Sequence, residues 1–337
     1  MKAANLSRRD RIEYIDLLRA FCIIMMIMGH VSFGGVFNKW IHIFHVPVFF
    51  VISGYFHKDY QFRDLIKKKS KVLLLPYYSI GIISIMLNYL MIRRVDIQAF
   101  YPLLWENTAE KGIPIAGALW FLTAMFWSEL FFWFIQHLKM NSRWKTLSAA
   151  IIALLGMGCS VLLPFRLPLA LDVGMVGVGF YQLGKTIKGK CSQILELNFA
   201  WSLIGLIVFS GIGFANSYVN LRQGHYGIWP LFWISATGIA IMLWNLSRFV
   251  YAWGNQNRFL KRVFSWIQMI GCDSIVFLCF NQLAILYATQ LVHIFFNPGH
   301  GFGLLLAKVA IFAVAMIELF IIRAIVMNTK IKMIFGK

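Results

Sequence analysis

The sequence predicts an all-α fold, a polytopic membrane bundle of about ten transmembrane helices. Three observations carry that prediction. Of the 337 residues, 60% are hydrophobic, 16% aromatic and only 13% charged, and the mean hydropathy is +0.71, which leaves too little polar surface for a soluble fold. The apolar residues fall into runs of about 20, the length that crosses a bilayer core about 30 Å thick. The basic residues between those runs are dense in every second connection and sparse in the others.

The runs are expected at about 15–33, 40–57, 73–92, 116–138, 147–163, 168–184, 199–218, 228–247, 268–291 and 303–325. The first follows a basic tail but contains Arg19 and His30 and lacks a small-residue cleavage pattern, so it reads as a retained helix rather than a signal peptide. The second holds Pro47, which removes a helix hydrogen bond, and Ser53-Gly54-Tyr55, which permits close helix approach. The sixth contains Gly174-x-x-Gly177-x-Gly179. With no preceding strand, that pattern reads as helix packing rather than a nucleotide loop. The longest connections, about 93–115 and 248–267, are too short for an independent unit, so 1–337 is expected to be one membrane-embedded domain.

A net charge of +19 raises the question of nucleic acid, and the placement of the charges answers it. With the N-terminus inside and the spans alternating, 24 Lys and Arg fall inside and six outside. This is the positive-inside asymmetry, with both termini cytoplasmic. Runs such as KKKSK at 67–71 then face anionic lipid, and no nucleic-acid partner is expected. The five cysteines, 22, 159, 191, 272 and 279, form no CxxC pair or zinc spacing, so neither a disulfide framework nor a metal is expected. His293 and His300 flank a Pro-Gly turn without a carboxylate or cysteine beside them and read as loop histidines. Trp105, Trp120, Trp229 and Trp253 sit mostly near expected interfaces, an aromatic belt first and a sugar-stacking surface second. Met25, Met26 and Met28 read as packing or lipid-facing side chains.

Against this apolar background the stretch from Tyr14 to His57 carries Asp16, Arg19, His30, His42 and His45. Ionisable side chains at membrane depth cost about 2.5–3.5 kcal/mol each on insertion scales and therefore mark a site. Arg19 and His30 are eleven positions apart, about 1100° of helical turn, and so face the same way about 16 Å apart along the axis. Asp16 precedes Arg19 by three positions, the spacing of a helix-surface ion pair. It also lies about 21 Å from His30, so any acceptor that orients His30 must come from another helix.

Asp-Leu-Leu-Arg at 16–19, ten residues between Arg19 and His30, His-Val-Pro-Val-Phe-Phe at 45–50 and Ile-Ser-Gly-Tyr at 52–55 together resemble acyltransferase family 3. LWFL at 119–122, YQLGK at 181–185 and IGCDSIVFLCFNQ at 270–282 are similar to its fucose 4-O-acetylase-like subgroup. The resemblance implies transfer of an acyl group, usually acetyl from cytosolic acetyl-CoA, to a hydroxyl of a cell-envelope glycan or lipid-linked sugar in a bacterial cytoplasmic membrane. It also implies that Arg19 and His30 are the functional pair. The chain departs from many relatives in reading Phe280-Asn281-Gln282 where they carry a histidine.

Sorted by depth, His30, His45, Asp172 and Lys308 fall in the outer part of the membrane, and Asp16, Arg19, Glu129, Asp273 and Glu318 in the inner part. His30 is the expected base for the acceptor hydroxyl. Arg19, partly balanced by Asp16, is the expected grip on acyl-CoA. His45, Ser53, Tyr55 and Trp120 are the expected acceptor-binding residues. Asp172, about as far from the outer surface as His30, is the candidate to hold the second imidazole nitrogen, as against merely capping its own helix beside Pro168. A transporter or flippase for a lipid-linked sugar is the alternative reading, disfavoured because the two halves of the chain show no repeat.

Overall fold

A computed structural model describes residues 12–93, 97–108, 111–296 and 301–337. The basic tail before Ile12, Arg94 and His300 lie outside the described residues. The described residues are helical and form no strand. In chain order the helices are α1 (Glu13–Val31), α2 (Gly35–Tyr55), α3 (Phe62–Lys69), α4 (Leu75–Ile92), the single turn α5 (Tyr101–Leu104), α6 (Trp120–His137), α7 (Ser142–Leu162), α8 (Leu171–Lys190), α9 (Phe199–Ala215), α10 (Trp229–Gly254), α11 (Arg258–Cys272), α12 (Ser274–Phe295) and α13 (Phe302–Asn328).

Among the described residues, eight stretches are long and apolar enough to cross a membrane: α1, α2, Phe62–Ile92, Gly117–His137, α7, α10, α12 and α13. The two other expected spans form α8, which falls outside that group, and the shorter apolar helix α9. Helix α2 runs through Pro47 without interruption. A π-helical turn at Ser70–Leu74 joins the basic helix α3 to α4 as one continuous rod. Asn141 and Asn198 start α7 and α9, each side-chain oxygen accepting the backbone N–H of Trp144 or Trp201 at 3.1 and 2.9 Å.

One boundary differs from the sequence reading. The segment expected as a connection at 248–267 and the start of the ninth span are instead the end of α10 and the whole of α11. Arg258, Lys261, Arg262 and Gln268 alternate on α11 with Phe259, Val263, Trp266 and Ile270, an amphipathic pattern that an average over 20 residues blurs into its apolar neighbour.

Helix α8 sits at the centre, packed against α2, α6 and α7, while α1 packs against α2, α10, α11 and α12. The glycines of α8 make this possible. A Cβ at Gly177 would come within 2.2 Å of Ser128 Oγ, and one at Gly184 within 2.1 Å of the Val51 carbonyl. Gly54 of α2 answers from the other side, where a Cβ would lie 2.0 Å from the Tyr181 carbonyl oxygen. The packing role read from the glycine pattern of the sixth span is therefore what the helices use.

Polar contacts sort the connections into two ends. At the basic end Trp133 donates to the Tyr60 carbonyl, Lys145 to the Gln136 carbonyl, and Lys337 pairs with Asp273. At the opposite end Lys39 donates to the Phe214 carbonyl, Leu169 N–H to the Trp105 carbonyl, and Lys308 to the Ser32 carbonyl. This grouping follows the alternation read from the charges.

The close approach of α2 and α8 makes a discriminating prediction. Gly54→Ala sets a methyl against fixed backbone and is expected to destabilise by at least about 3 kcal/mol, read as a large fall in thermal midpoint in detergent. Gly189→Ala, where a Cβ meets nothing within 4 Å, is expected to leave the midpoint unchanged or slightly raised.

Candidate active site

Helices α1 and α2 are joined by a tight connection, Ser32 to Gly34, in which Ser32 is left-handed at φ 66° and Gly34 has φ 136°. The connection folds the last turn of α1 back on the first half of α2, so that His30, His42 and His45 line one cavity of about 150 Å³. Met26 and Phe49 supply apolar wall from the same two helices, Trp120 from the start of α6, and Arg222 from the connection between α9 and α10. The cavity lies toward the end opposite the basic one.

The three imidazoles are not equivalent. His42 Nδ1 is 2.7 Å from the Asn38 carbonyl and His45 Nδ1 is 2.8 Å from the Ile41 carbonyl. A carbonyl oxygen only accepts, so in each ring Nδ1 carries the proton, and in the neutral form Nε2 keeps its lone pair. Their ring centroids are 5.2 Å apart. His30 is accessible from the cavity and makes no hydrogen bond to any described residue, so its ring can meet whatever enters the cavity.

Arg19 lies three turns before His30 on α1, and its Nη1 is 3.3 Å from Asp16 Oδ1. Asp16 is buried, and its backbone carbonyl touches Gly271 at the end of α11, which ties the pair to that helix junction. The face between Arg19 and His30 passes the buried Cys22 and Ile23 and then Met26, so one of the packing methionines of the sequence reading is cavity wall.

Of the expected acceptor residues, His45 and Trp120 join His30, whereas Ser53 and Tyr55 do not. Tyr55 is nearly three turns further along α2, its ring 4.8 Å from that of Trp244 and 5.6 Å from the Lys188 ammonium, and Ser53 precedes Gly54, whose backbone packs on that of Tyr181. Both belong to the basic end.

Asp172 is not brought to His30. Its carboxylate is 2.6 Å from the Arg166 guanidinium and accepts a hydrogen bond from Ser160 at 2.8 Å, and it is no part of the cavity wall. Comparable depth along two helices says nothing of which faces meet. Here the loop before α8 turns Arg166 inward and neutralises the carboxylate locally. Glu129 and Asp273 are engaged in the same way, Glu129 by Lys69, by His57 at 3.6 Å and by the Tyr181 hydroxyl at 3.2 Å, Asp273 by Lys337 and by Arg323 at 2.6 Å.

Three cavity-side residues receive no site role from the sequence. His42 was within reach of it, since positions 42 and 45 share a helix face. Arg222 sits in a loop with no motif around it and counted only as an outside charge. Gln282 accepts the Gly117 N–H at 2.5 Å and so fixes that part of the cavity wall to α12. Its neighbour Asn281 is buried and donates to the Leu278 carbonyl at 2.6 Å.

Chemically, the arrangement offers three imidazole nitrogens as proton acceptors and one guanidinium, in a small and mostly apolar space reached from a helix that carries a second guanidinium at its other end. A family model described as an acyltransferase domain matches residues 12–323, nearly the whole chain. No curated protein and no solved structure matches the chain. The chain therefore belongs to acyltransferase family 3, which makes it an acyltransferase.

Proposed function

We propose that the protein moves an acetyl group from acetyl-CoA, taken up at the basic cytoplasmic end, to a hydroxyl of a cell-envelope glycan or lipid-linked sugar at the other end, in the cytoplasmic membrane of a bacterium. The observation that carries this reading is the placement of His30. It faces a cavity inside the bundle and lies on the same uninterrupted helix as Arg19, so one element reaches from the donor end to the acceptor end.

In this mechanism His30 takes the proton of the acceptor hydroxyl as its oxygen attacks the thioester carbonyl. Collapse of the tetrahedral intermediate breaks the carbon–sulfur bond, and the imidazolium returns the proton to the departing thiolate. Arg19 grips a phosphate or the amide-rich arm of the donor, with Asp16 setting the direction of its fork. His45 and Trp120 bound the acceptor, while Ser53 and Tyr55, beside Lys188 and Trp244, are better placed on the donor path.

Purified protein in liposomes with radiolabelled acetyl-CoA tests the reading. Release of CoA with label in an added glycan acceptor is expected. Export of a lipid-linked sugar without acetyl-CoA consumption would replace the enzyme with a transporter.

Three substitutions refine it. His30→Ala is expected to lower turnover by at least about 100-fold with the folded yield unchanged, and near-normal turnover would remove the base from His30. Arg19→Lys keeps the charge but not the fork. It should raise KM for acetyl-CoA by about tenfold, about 1.4 kcal/mol, and an unchanged KM would make Arg19 a counter-ion only. Asp172→Asn leaves Arg166 without its counter-charge and is expected to cost about 3 kcal/mol of stability, while the protein that remains folded turns over normally. A selective loss of turnover at unchanged thermal midpoint would return Asp172 to the catalytic apparatus.

A further inference from the structure

The guanidinium of Arg222 is held as few loop arginines are. Its Nε donates to the Asn107 carbonyl at 3.1 Å, and its Nη2 donates to Asn107 Oδ1 at 2.9 Å and to the Thr108 carbonyl. Two glycines make room for it. A Cβ would come within 2.6 Å of Nη2 at Gly112 and within 2.7 Å of Nη1 at Gly117, and Gly117 is itself part of the cavity wall. All three acceptors are neutral, and among the described residues no carboxylate lies within 4 Å of Arg222. Burial pulls the group down to about 10, which still leaves it charged at neutral pH. The cavity of His30 therefore contains a fixed positive charge that no described carboxylate neutralises, and Nη1 makes no hydrogen bond to any described residue.

A fixed cation in a desolvated space is costly unless an anion completes it. Arg222 comes from the connection at the end opposite Arg19, so the anion it meets belongs to the acceptor and not to CoA. We infer that Arg222 binds an anionic group of the acceptor, a carboxylate or a phosphate ester close to the hydroxyl that is acylated, and so selects charged over neutral sugars. This rests on the acyl-transfer reading only in calling the ligand an acceptor. The anion site itself follows from the geometry.

The site is testable without knowing the sugar. Diethyl pyrocarbonate modifies His30, and peptide mapping follows that position among the other histidines. Inorganic phosphate and glucuronate are the anionic probes and glucose the neutral control. An anion held by a charge-assisted bond beside the ring should slow modification of His30 by at least about threefold, and glucose should not. Whichever anion protects better tells a phosphate from a carboxylate acceptor.

Asn107→Asp supplies the missing negative charge in place, on the atom that already accepts from Arg222 and from the Ile113 N–H. It should abolish the protection while leaving modification without anion unchanged. Arg222→Gln should abolish it as well, and serves if Asn107→Asp does not fold. Absence of protection in the wild-type protein, or equal protection in these variants, overturns the anion site. Acetyl-CoA turnover is scored separately on the same preparations. Protection without turnover would sink the proposed reaction and keep the site, whereas turnover without protection would do the reverse.

Discussion

Neutralisation of buried charge governs this bundle. A carboxylate inside a membrane protein is tolerated only against a partner, and each of the four buried carboxylates among the described residues meets a cation: Asp16 meets Arg19, Glu129 meets Lys69, Asp172 meets Arg166 and Asp273 meets Arg323 and Lys337. These pairs do structural work at the helix ends. Glu129 draws the basic helix α3 into the bundle, Asp273 ties the end of the chain to the break between α11 and α12, and Asp172 fixes the loop that precedes α8. Once they are matched, what remains is informative. Among the described residues, the cavity of His30 holds imidazoles and a guanidinium without a carboxylate.

That distribution changes how the imidazole of His30 is to be understood. A carboxylate behind a catalytic histidine stabilises its charged form and fixes its tautomer. Here the tautomer is fixed in the two neighbours, His42 and His45, by backbone carbonyls of their own helix, and His30 itself faces the cavity without a hydrogen-bond partner among the described residues. A base in this position takes its orientation from the cavity wall and from the hydroxyl whose proton it accepts.

The fold class, the helical nature of the spans, the packing glycines of α8 and the Asp16–Arg19 pair were legible in the sequence because each depends on local spacing alone. So was the meeting of His30 with His45, since both fall near one helix hairpin. The partner of Asp172 was not legible, because depth along a helix fixes one coordinate and the azimuth about its axis, set by packing, fixes the rest. Ser53 and Tyr55 stand close to His45 in sequence, yet eight to ten helical residues carry them out of the cavity. Arg222 was invisible for a different reason. It reaches the site from a connection whose course depends on the Asn107–Thr108 loop, and no periodicity marks such a contact.

The position of α8 bears on how the protein is made. Its sequence is less apolar than the eight stretches that qualify as spans, and it is enclosed by α2, α6 and α7. A helix of this kind gains little from lipid alone, because its glycines leave peptide groups that only another backbone can cover. All three of its neighbours precede it in the chain, so they have already emerged from the ribosome when α8 does. Its entry into the bilayer is then a docking event onto a waiting three-helix cleft rather than independent partitioning, and the order of the helices in the gene is part of what lets so polar a segment reside at the middle of the membrane.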